Sequence, residues 1–307
     1  MSLLVVGSLA LDTIETPFGK AERTLGGSAT FISIAASYFI KPVRLVGVVG
    51  GDFPKEVIEY FKSREIDLEG LQIKPDGKTF HWHGKYDFDL NTRESLVTEL
   101  NVFADFDPVI PDSFKRSKYL CLGNINPGLQ LNVLEQMSSV EKPKLIVADT
   151  MNFWIEGKYE QLLEVLKRID VLIINDSEAR ELSDEFNLIK AAKSIQSLGP
   201  KILIIKKGEH GALLFYEDKI FNAPAYPLES IFDPTGAGDS FAGGFIGYLA
   251  KTDDVSYDNM KRAVIHGSAI ASFSVEKFSV EGIKDLTHAA IYDRIAEFKS
   301  FSHFELD

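Results

Sequence analysis

The chain has 307 residues, of which 45% are hydrophobic and 25% charged, and this composition is typical of a globular protein with a sizeable core. The formal net charge of −12 argues against nucleic acid as a main partner, because binding its phosphates requires clustered lysine and arginine. Cys121 is the single cysteine, so no disulfide can form within the chain, which fits a reducing compartment.

The amino-terminal segment predicts a buried strand and turn rather than an export signal. Residues 3–11 are apolar, but the run is short, no basic residue precedes it, and Asp12 follows it. No run of about 18 apolar residues occurs in the chain, so we expect no membrane span and no membrane partner. A cytoplasmic protein is the natural expectation.

Short segments rich in Val, Ile and Leu alternate with segments of helical spacing along most of the chain. This alternation predicts an α/β fold, with a mostly parallel sheet covered by helices on both faces. Ligands are then expected at the carboxyl ends of the strands. The predicted strands are residues 3–7, 43–50, 119–124, 144–149, 171–176 and 202–208. The predicted carboxyl-terminal helices are residues 238–250, 256–275 and 286–301.

Residues 75–102 depart from this alternation and predict a small lid of antiparallel strands. Together with residues 9–17 they would form an insertion into a single domain that spans residues 1–307. The aromatic residues that share one face of this segment are Phe80, Trp82, Tyr86 and Phe88. His81 and His83 share the other face, and without a third ligand nearby a solvated face explains them better than a metal site.

Two familiar phosphate-binding motifs are not supported. Residues 77–79 read GKT, the end of a Walker A loop, but Gln72 stands where that motif requires glycine. The residues after this segment alternate like a strand, whereas the motif opens a helix. No G-x-G-x-x-G follows a predicted strand, which disfavours a dinucleotide-dependent oxidoreductase.

The segment DPTGAGD at residues 233–239 predicts an anion site. The apolar residues that follow recur at helical spacing, so a helix begins near Gly238. Its first N–H groups have no intrahelical partners and carry the positive end of the helix dipole. Gly236, Ala237 and Gly238 leave those groups unshielded, which suits a phosphate.

Asp239 stands beside this predicted site, where a carboxylate would repel a bound phosphate. It is well placed, however, to act as a general base that takes a proton from a hydroxyl about to attack phosphorus. Spacing alone leaves a second explanation open, in which Asp239 caps the helix and the glycines form a tight turn.

DPTGAGDSFAGGF at residues 233–245 resembles the carboxyl-terminal signature of the ribokinase/PfkB carbohydrate kinase family. Three further matches follow in the family's order: GSLALD ending at Asp12, GGSAT at residues 26–30, and NDSE at residues 175–178, which matches the family's N-x-x-E. KKGEHGALLF at residues 206–215 resembles the strand–turn–strand near the nucleotide.

The resemblance implies a ribokinase-like fold, with a large and mostly parallel sheet and a β-lid through which two subunits usually meet as a homodimer. It also implies ATP-dependent phosphorylation of an alcohol on a sugar, a nucleoside or a related small molecule. By position, Asp239 resembles the base and the N–H groups of residues 236–238 resemble the anion hole. Asn175 and Glu178 would organise hydrated Mg²⁺ and the phosphates of ATP. The glycines expected near the nucleotide are Gly208 and Gly211.

The resemblance further implies that Asp12 and the turn Gly26-Gly27 hold substrate hydroxyls. Asp233 and Thr235 match positions that line a site for K⁺ or another monovalent cation in some members, although residues 278–279, Phe-Ser, depart from the small residues of its other wall.

Structural roles stay open for several of these positions. Asp12 could cap a turn, the Gly26-Gly27 pair could be turn chemistry alone, and Asn175 with Glu178 could simply begin a helix. Asp149 and Asn152 end a predicted strand on the functional side, where a contact with phosphate or Mg²⁺ and a helix-entry role are equally compatible with the sequence.

Phe31 stands where many members carry an asparagine, so it either faces the core or makes a pocket that reads fewer hydroxyls. The aromatic face of the lid could cover a sugar or stack on a nucleobase, which leaves a nucleoside kinase as the alternative to a sugar kinase. A third hypothesis is a sugar or nucleotide sensor without turnover, and the intact Asp239 argues against it.

Overall fold

The computed structural model of the chain describes residues 2–303 and residue 305. The strands within these residues are β1 (Leu3–Val6), β2 (Ala10–Thr16), β3 (Gly19–Gly26), β4 (Val43–Gly50), β5 (Ile66–Lys74), β6 (His81–Tyr86), β7 (Arg93–Glu99), β8 (Tyr119–Leu122), β9 (Leu145–Asp149), β10 (Val171–Asn175), β11 (Ile202–Lys206), β12 (Ala212–Tyr216) and β13 (Lys219–Ala223). The α-helices are α1 (Ser28–Ala36), α2 (Lys55–Ser63), α3 (Pro127–Ser138), α4 (Asn152–Gly157), α5 (Tyr159–Leu166), α6 (Asp176–Ser183), α7 (Leu188–Ser197), α8 (Ala237–Thr252), α9 (Tyr257–Ser274) and α10 (His288–Ser302).

Nine of these strands form one sheet in the order β13-β12-β11-β10-β9-β8-β1-β4-β5. The neighbours from β11 to β5 are all parallel, and β12 and β13 add an antiparallel edge. The predicted mostly parallel sheet is therefore confirmed. All residues of β1, β8 and β9 are buried, which explains why the sequence shows them as continuous apolar runs.

Helices cover both faces of this sheet, each over its own hydrophobic core. On one face, α8 packs against α1 so closely that a Cβ added at Gly243 would lie 2.4 Å from the carbonyl oxygen of Ile32. The glycine thus allows the two helix backbones to approach each other. The three predicted carboxyl-terminal helices are present as α8, α9 and α10. Within residues 2–303 and 305, no helix is both long and apolar enough to cross a membrane.

A second sheet of four strands, in the order β3-β2-β6-β7, forms the lid. Its strands β2, β6 and β7 fall in the segments predicted for the lid, but β3 was not predicted. Four of the eight residues of β3 are exposed and Gly26 alone is buried, so the strand lacks a clear apolar alternation. The prediction of antiparallel strands holds for the pairs β2–β3 and β6–β7, whereas β2 and β6 are parallel.

The two histidines of β6 contact the neighbouring strand of the lid. Nδ1 of His81 donates to the carbonyl oxygen of Leu11 at 2.5 Å, and Nε2 of His83 pairs with Oε1 of Glu15 at 3.0 Å. Both histidine side chains are therefore hydrogen-bonded within the lid.

Candidate active site

The candidate site lies where three neighbouring parallel strands end. Asp149 ends β9, Asn175 ends β10 and Lys206 ends β11, and parallel strands present their carboxyl ends at one edge of the sheet. The first turn of α8 lies against this edge, since a Cβ added at Gly238 would be 2.6 Å from Nζ of Lys206. Sheet edge and helix terminus therefore form one site.

Gly236 is the N-cap of α8 and has a φ of 74°, in the left-handed region that favours glycine. An added Cβ would lie 2.4 Å from the ring of Phe31, so this position also lacks room for a side chain. The helix that follows contains Ala237, Gly238 and Asp239 in its first turn. We call residues 233–239 the anion loop, because they lead into the first turn of α8, where N–H groups lack intrahelical partners. The N–H of Ala237 donates to the carbonyl oxygen of Pro234 at 3.2 Å in this structure.

Phe31 is 1% exposed and packs beneath this loop, from its place in α1. Of the two alternatives that the sequence left open, the structure therefore supports a residue that faces the core. The ring lies close to the backbone of Gly236, and its predicted contact with a substrate stays a prediction.

The carboxylate of Asp239 is buried, and its Oδ1 atom has no hydrogen-bond partner among the described residues. Burial raises the pKa of this carboxyl to about 7, and the negative charge of Asp149 adds to the shift. The positive charges of Lys206 and Arg93 act in the opposite direction. A carboxyl poised near neutral pH beside an anion site is suited to general base chemistry.

Asp12 lies within β2 and is 4% exposed. The backbone N–H groups of Trp82 and Gly27 act to lower the pKa of its carboxyl, while Oδ1 has no hydrogen-bond partner within the described part of the chain. Burial raises its pKa to about 7, helped by the charges of Asp233 and Asp239. Asp12 is therefore close enough to Asp239 for the charge of Asp239 to act on its carboxyl.

The turn Gly26-Gly27 shapes the pocket around Asp12. A Cβ at Gly26 would lie 1.9 Å from Oδ2 of Asp12, so only glycine leaves room for that carboxylate. Gly27 has a φ of 91° and is the N-cap of α1. The two glycines therefore allow both the tight turn and the close approach to Asp12. Their contact with a substrate stays a prediction.

Asn175 and Glu178 form a capping box at the start of α6. Oδ1 of Asn175 accepts from the N–H of Glu178, and Oε2 of Glu178 accepts from the N–H of Asn175, both at 2.8 Å. Asn175 and Glu178 therefore have the helix-starting role that the sequence left open. Glu178 is also buried, and burial together with the charge of Asp149 raises its pKa to about 7, which is unusual for a cap alone.

The carboxylates of Asp149 and Glu178 fit a hydrated Mg²⁺ ion bound together with a nucleotide. Mg²⁺ in such sites usually takes one or two carboxylates and fills its remaining positions with water and phosphate oxygens. No cluster of three or more acidic, His or Cys side chains that could hold a metal occurs among residues 2–303 and 305. This donor set suits a metal that arrives with phosphates better than a permanently bound one.

Lys206 is the residue that the sequence interpretation missed. Its Nζ lies 3.9 Å from Oδ2 of Asp149, and its side chain is 19% exposed. Burial alone would lower its pKa, but the charges of Asp149 and two further carboxylates, those of Glu178 and Asp239, raise it. A lysine that ends a buried parallel strand, as in ILIIKKG, is the signal that could have indicated it.

The lid reaches the anion loop through Tyr86. The hydroxyl of Thr235 donates to the hydroxyl of Tyr86 at 3.1 Å, and Tyr86 is 5% exposed. The cross-strand neighbour of Tyr86 is Arg93, whose guanidinium lies 5.7 Å from the ring centroid of Trp82. The charges of Glu178 and Asp239 raise the pKa of Arg93, so this residue of the lid is near the carboxylates of the site.

Two aromatic residues of the lid do not lie over the site. Phe80 stacks on Phe103 at a centroid distance of 5.5 Å, and Phe88 is 83% exposed beyond the end of β6. Of the predicted aromatic face, Trp82 and Tyr86 are the pair near the anion loop.

Asp233 joins the anion loop to a neighbouring turn. Its Oδ1 accepts from the N–H of Thr235 and its Oδ2 from the N–H of Ser279, each at 2.8 Å. Both residues proposed for a monovalent cation thus have structural contacts, and K⁺ binding stays a prediction.

The remaining predicted residues are placed as follows. Gly208 and Gly211 have φ values of 54° and 81° in the turn between β11 and β12, where left-handed backbone favours glycine. Their contact with a nucleotide stays a prediction. Asn152 begins α4 and donates to the carboxylate of Glu181, so it has a helix-entry position, whereas Asp149 belongs to the charged cluster.

Comparison with known proteins shows the family to which this chain belongs. Residues 2–285 match the family described as "pfkB family carbohydrate kinase". The chain is 31% identical over 252 residues to a cytidine kinase of Thermococcus kodakarensis, covering 80% of this chain and 87% of that protein. It is 31% identical over 297 residues to a nucleoside kinase of Methanocaldococcus jannaschii, covering 91% and 86% respectively.

Solved structures confirm the fold. An E. coli protein assigned to ribokinase II, in complex with ATP and Mg²⁺, superposes with a TM-score of 0.78 at 16% identity, covering 98% of this chain and 99% of that one. The architecture of the chain is therefore ribokinase-like. The chain belongs to the pfkB family of carbohydrate kinases, whose members include sugar and nucleoside kinases.

Proposed function

We propose that this kinase transfers the γ-phosphoryl group of ATP to a hydroxyl group of a nucleoside, with Asp239 as the general base. The observation that carries the chemistry is a pair of buried carboxylates, Asp12 and Asp239, each with one oxygen that lacks a partner among the described residues. A polyhydroxylated acceptor supplies O–H donors for both oxygens, and leaving buried acceptors unpaired is otherwise costly.

We rank the two acceptor classes, sugars and nucleosides, in the opposite order from the one that the sequence suggested. A sugar was the first expectation and a nucleoside the alternative, but the two relatives at 31% identity are a cytidine kinase and a nucleoside kinase. Their names support a nucleoside, whose ribose presents the hydroxyls that Asp12 would hold and whose base fits beside Trp82 of the lid.

The proposed transfer needs three groups in fixed positions. Asp12 binds one hydroxyl of the acceptor and orients a second towards the anion loop. Asp239 accepts the proton of that second hydroxyl as its oxygen attacks the γ-phosphorus and the bond to the β-phosphate oxygen breaks. The N–H groups of residues 236–238 stabilise the charge on the transferred phosphoryl oxygens. Mg²⁺, held near Asp149 and Glu178, would neutralise charge on the phosphates of ATP.

The test is ADP release from Mg–ATP by the wild-type protein across cytidine, uridine, adenosine, inosine, ribose and sugar acids. We expect one or more nucleosides to give the highest kcat/KM, with little ADP release when no acceptor is present because the closed lid excludes water. A sugar or sugar acid with a higher kcat/KM than every nucleoside would contradict the acceptor class. Binding of acceptors without ADP release would contradict the reaction and favour a sensor.

We also propose that two chains associate through the lid. β7 is an edge strand of the lid sheet, and Leu96 and Val97 on it are 42% and 39% exposed. An exposed edge with apolar side chains offers both backbone and side-chain contacts to a second copy.

We expect sedimentation equilibrium to give a dimer at micromolar concentration and the variant Val97→Glu to shift it towards monomer. Val109→Glu provides the matched control, since Val109 is 61% exposed and lies outside the lid strands. A monomeric wild-type protein, or equal effects of both variants, would rule out the lid as the interface.

A further inference from the structure

We propose that Lys206 is a further catalytic residue, which binds the phosphoryl group during its transfer by donating a hydrogen bond from Nζ to one of its oxygens. This inference rests on the proposed function, because it requires ATP at the anion loop. The proposed base and the N–H groups carry no full positive charge on a flexible side chain, and Lys206 would add one to the site.

The position of Nζ carries the argument. Lys206 ends β11, yet its ammonium group reaches the first turn of α8, where a Cβ at Gly238 would be only 2.6 Å away. A phosphate bound to the N–H groups of that turn would therefore be in contact with the ammonium. Any side chain at position 238 would displace it, which gives a second reason for glycine there.

The ammonium is not fixed by its present neighbour. The distance of 3.9 Å between Nζ and Oδ2 of Asp149 makes an ion pair, but it is too long for a hydrogen bond. The N–H donors of Lys206 therefore remain available to an incoming anion, and the flexible side chain of lysine allows the small shift that this requires.

The charges around the site favour such a cation. The carboxylates of Asp149, Glu178 and Asp239 all act on Lys206, and with Arg93 as the second cation the cluster has three acidic and two basic side chains. Without Lys206, the negative phosphates of ATP would approach three carboxylates with Arg93 alone to oppose them among these five groups. The ammonium thus offsets repulsion on binding and charge on the phosphoryl oxygens during transfer.

Lys206 does not change which bonds form and break in the proposed transfer. The acceptor oxygen forms a bond to the γ-phosphorus, the bond to the β–γ bridging oxygen breaks, and the acceptor proton passes to Asp239. Lys206 donates a hydrogen bond to a non-bridging oxygen and keeps its proton. A purely structural lysine, paired with Asp149, would make no contact that depends on the γ-phosphate.

The experiment compares binding of Mg²⁺ with AMPPNP, a non-hydrolysable ATP analogue, and with ADP by isothermal titration calorimetry. Lys206→Met and Lys206→Gln are expected to weaken AMPPNP binding at least tenfold while ADP binding changes less than threefold. With an active acceptor, kcat should fall about 10²–10³-fold, as for other donors to a developing charge. Lys206→Arg should retain part of the affinity for AMPPNP.

Lys144→Met is the matched control. Lys144 also forms a lysine–aspartate ion pair, with Nζ 2.8 Å from Oδ1 of Asp253, but it precedes β9 at the opposite end of that strand from Asp149. It should leave the affinities for both nucleotides unchanged.

Equal losses for AMPPNP and ADP in the Lys206 variants would overturn the inference and leave a structural ion pair. If the wild-type protein binds neither nucleotide, the proposed function fails instead. Should the variants not fold, acetylation of the wild-type protein followed by mass spectrometry decides: Mg–AMPPNP must protect Lys206 more than Mg–ADP does, and equal protection contradicts the proposal.

Discussion

The Asp239→Asn variant is expected to form ADP about 10²–10⁴-fold more slowly than the wild-type protein, because a positioned general base contributes that factor. The amide has nearly the shape of the carboxylate but cannot take the acceptor's proton at neutral pH. Its affinity for Mg–ATP should persist or rise, since removing a buried negative charge lessens repulsion of the phosphates. Initial rates of ADP release and calorimetric binding measure the two effects separately.

The pH dependence of the wild-type protein provides an independent signature of the same residue. Burial raises the pKa of Asp239 to about 7, so the ionised base is lost as the pH falls below that value. kcat/KM should therefore rise with pH through about 7 and then level. The Asp239→Asn variant should show a shallower rise, since only the ionisations of Asp12 and Glu178, whose pKa values are also raised to about 7, then remain. A variant that keeps wild-type turnover, or a flat wild-type profile between pH 5 and 9, would contradict the role of the base.

Thermal unfolding controls for misfolding in this variant. A carboxyl whose pKa is raised in the folded state adds stability that is fully present below its unfolded value of 3.8 and is lost as the pH rises through about 7. At pH 8 the ionised wild-type residue therefore opposes folding. The asparagine variant should unfold at the same or a higher temperature than the wild-type protein, although it is the less active of the two.

Gly236→Ala is expected to have the second-largest effect, through the geometry of the anion loop. The φ of 74° costs an L-residue roughly 1–2 kcal/mol, and the added Cβ would meet the ring of Phe31 at 2.4 Å. Both effects move the first N–H groups of α8. We expect kcat to fall about 10²–10³-fold, as when a donor to a developing oxyanion is lost, together with a lower free energy of unfolding.

Gly157→Ala is the control for this substitution. An added Cβ at Gly157 would meet nothing within 4 Å, and its φ lies outside the left-handed region, so neither rate nor stability should fall. Urea unfolding and ADP release report the two quantities. A Gly236→Ala protein with the wild-type kcat would show that the N–H groups of this loop do not position the phosphoryl group.

Buried parallel strands and the amino terminus of α8 could be predicted because each depends on local pattern. Continuous apolar runs indicate strands such as β9, and the periodic residues after Gly238 indicate the helix. β3 could not be predicted in this way, although it begins only three residues after β2 ends, since four of its eight residues are exposed and it has no continuous apolar run.

The candidate site residues could be named from sequence for the same reason, and their roles stay predictions. Asp12, Asp239 and Glu178 belong to motifs that remain visible in sequence. Lys206 has no motif of its own, and its significance arises only when β11 and α8 bring its ammonium to the backbone of Gly238. Phe31 likewise shows as a departure from a family pattern, whereas its contact with Gly236 requires the packing of α1 on α8.

The close approach of α1 and α8 at Gly243 has a consequence for the distance over which phosphate is transferred. α1 begins at the turn that borders Asp12, and α8 begins at the anion loop. Because their backbones touch, the two helix ends that border Asp12 and the anion loop are held at a fixed spacing. In the proposed transfer, this helix contact, formed during folding, would set the spacing of the reacting atoms, so little orientational entropy would remain to be lost when the substrates bind.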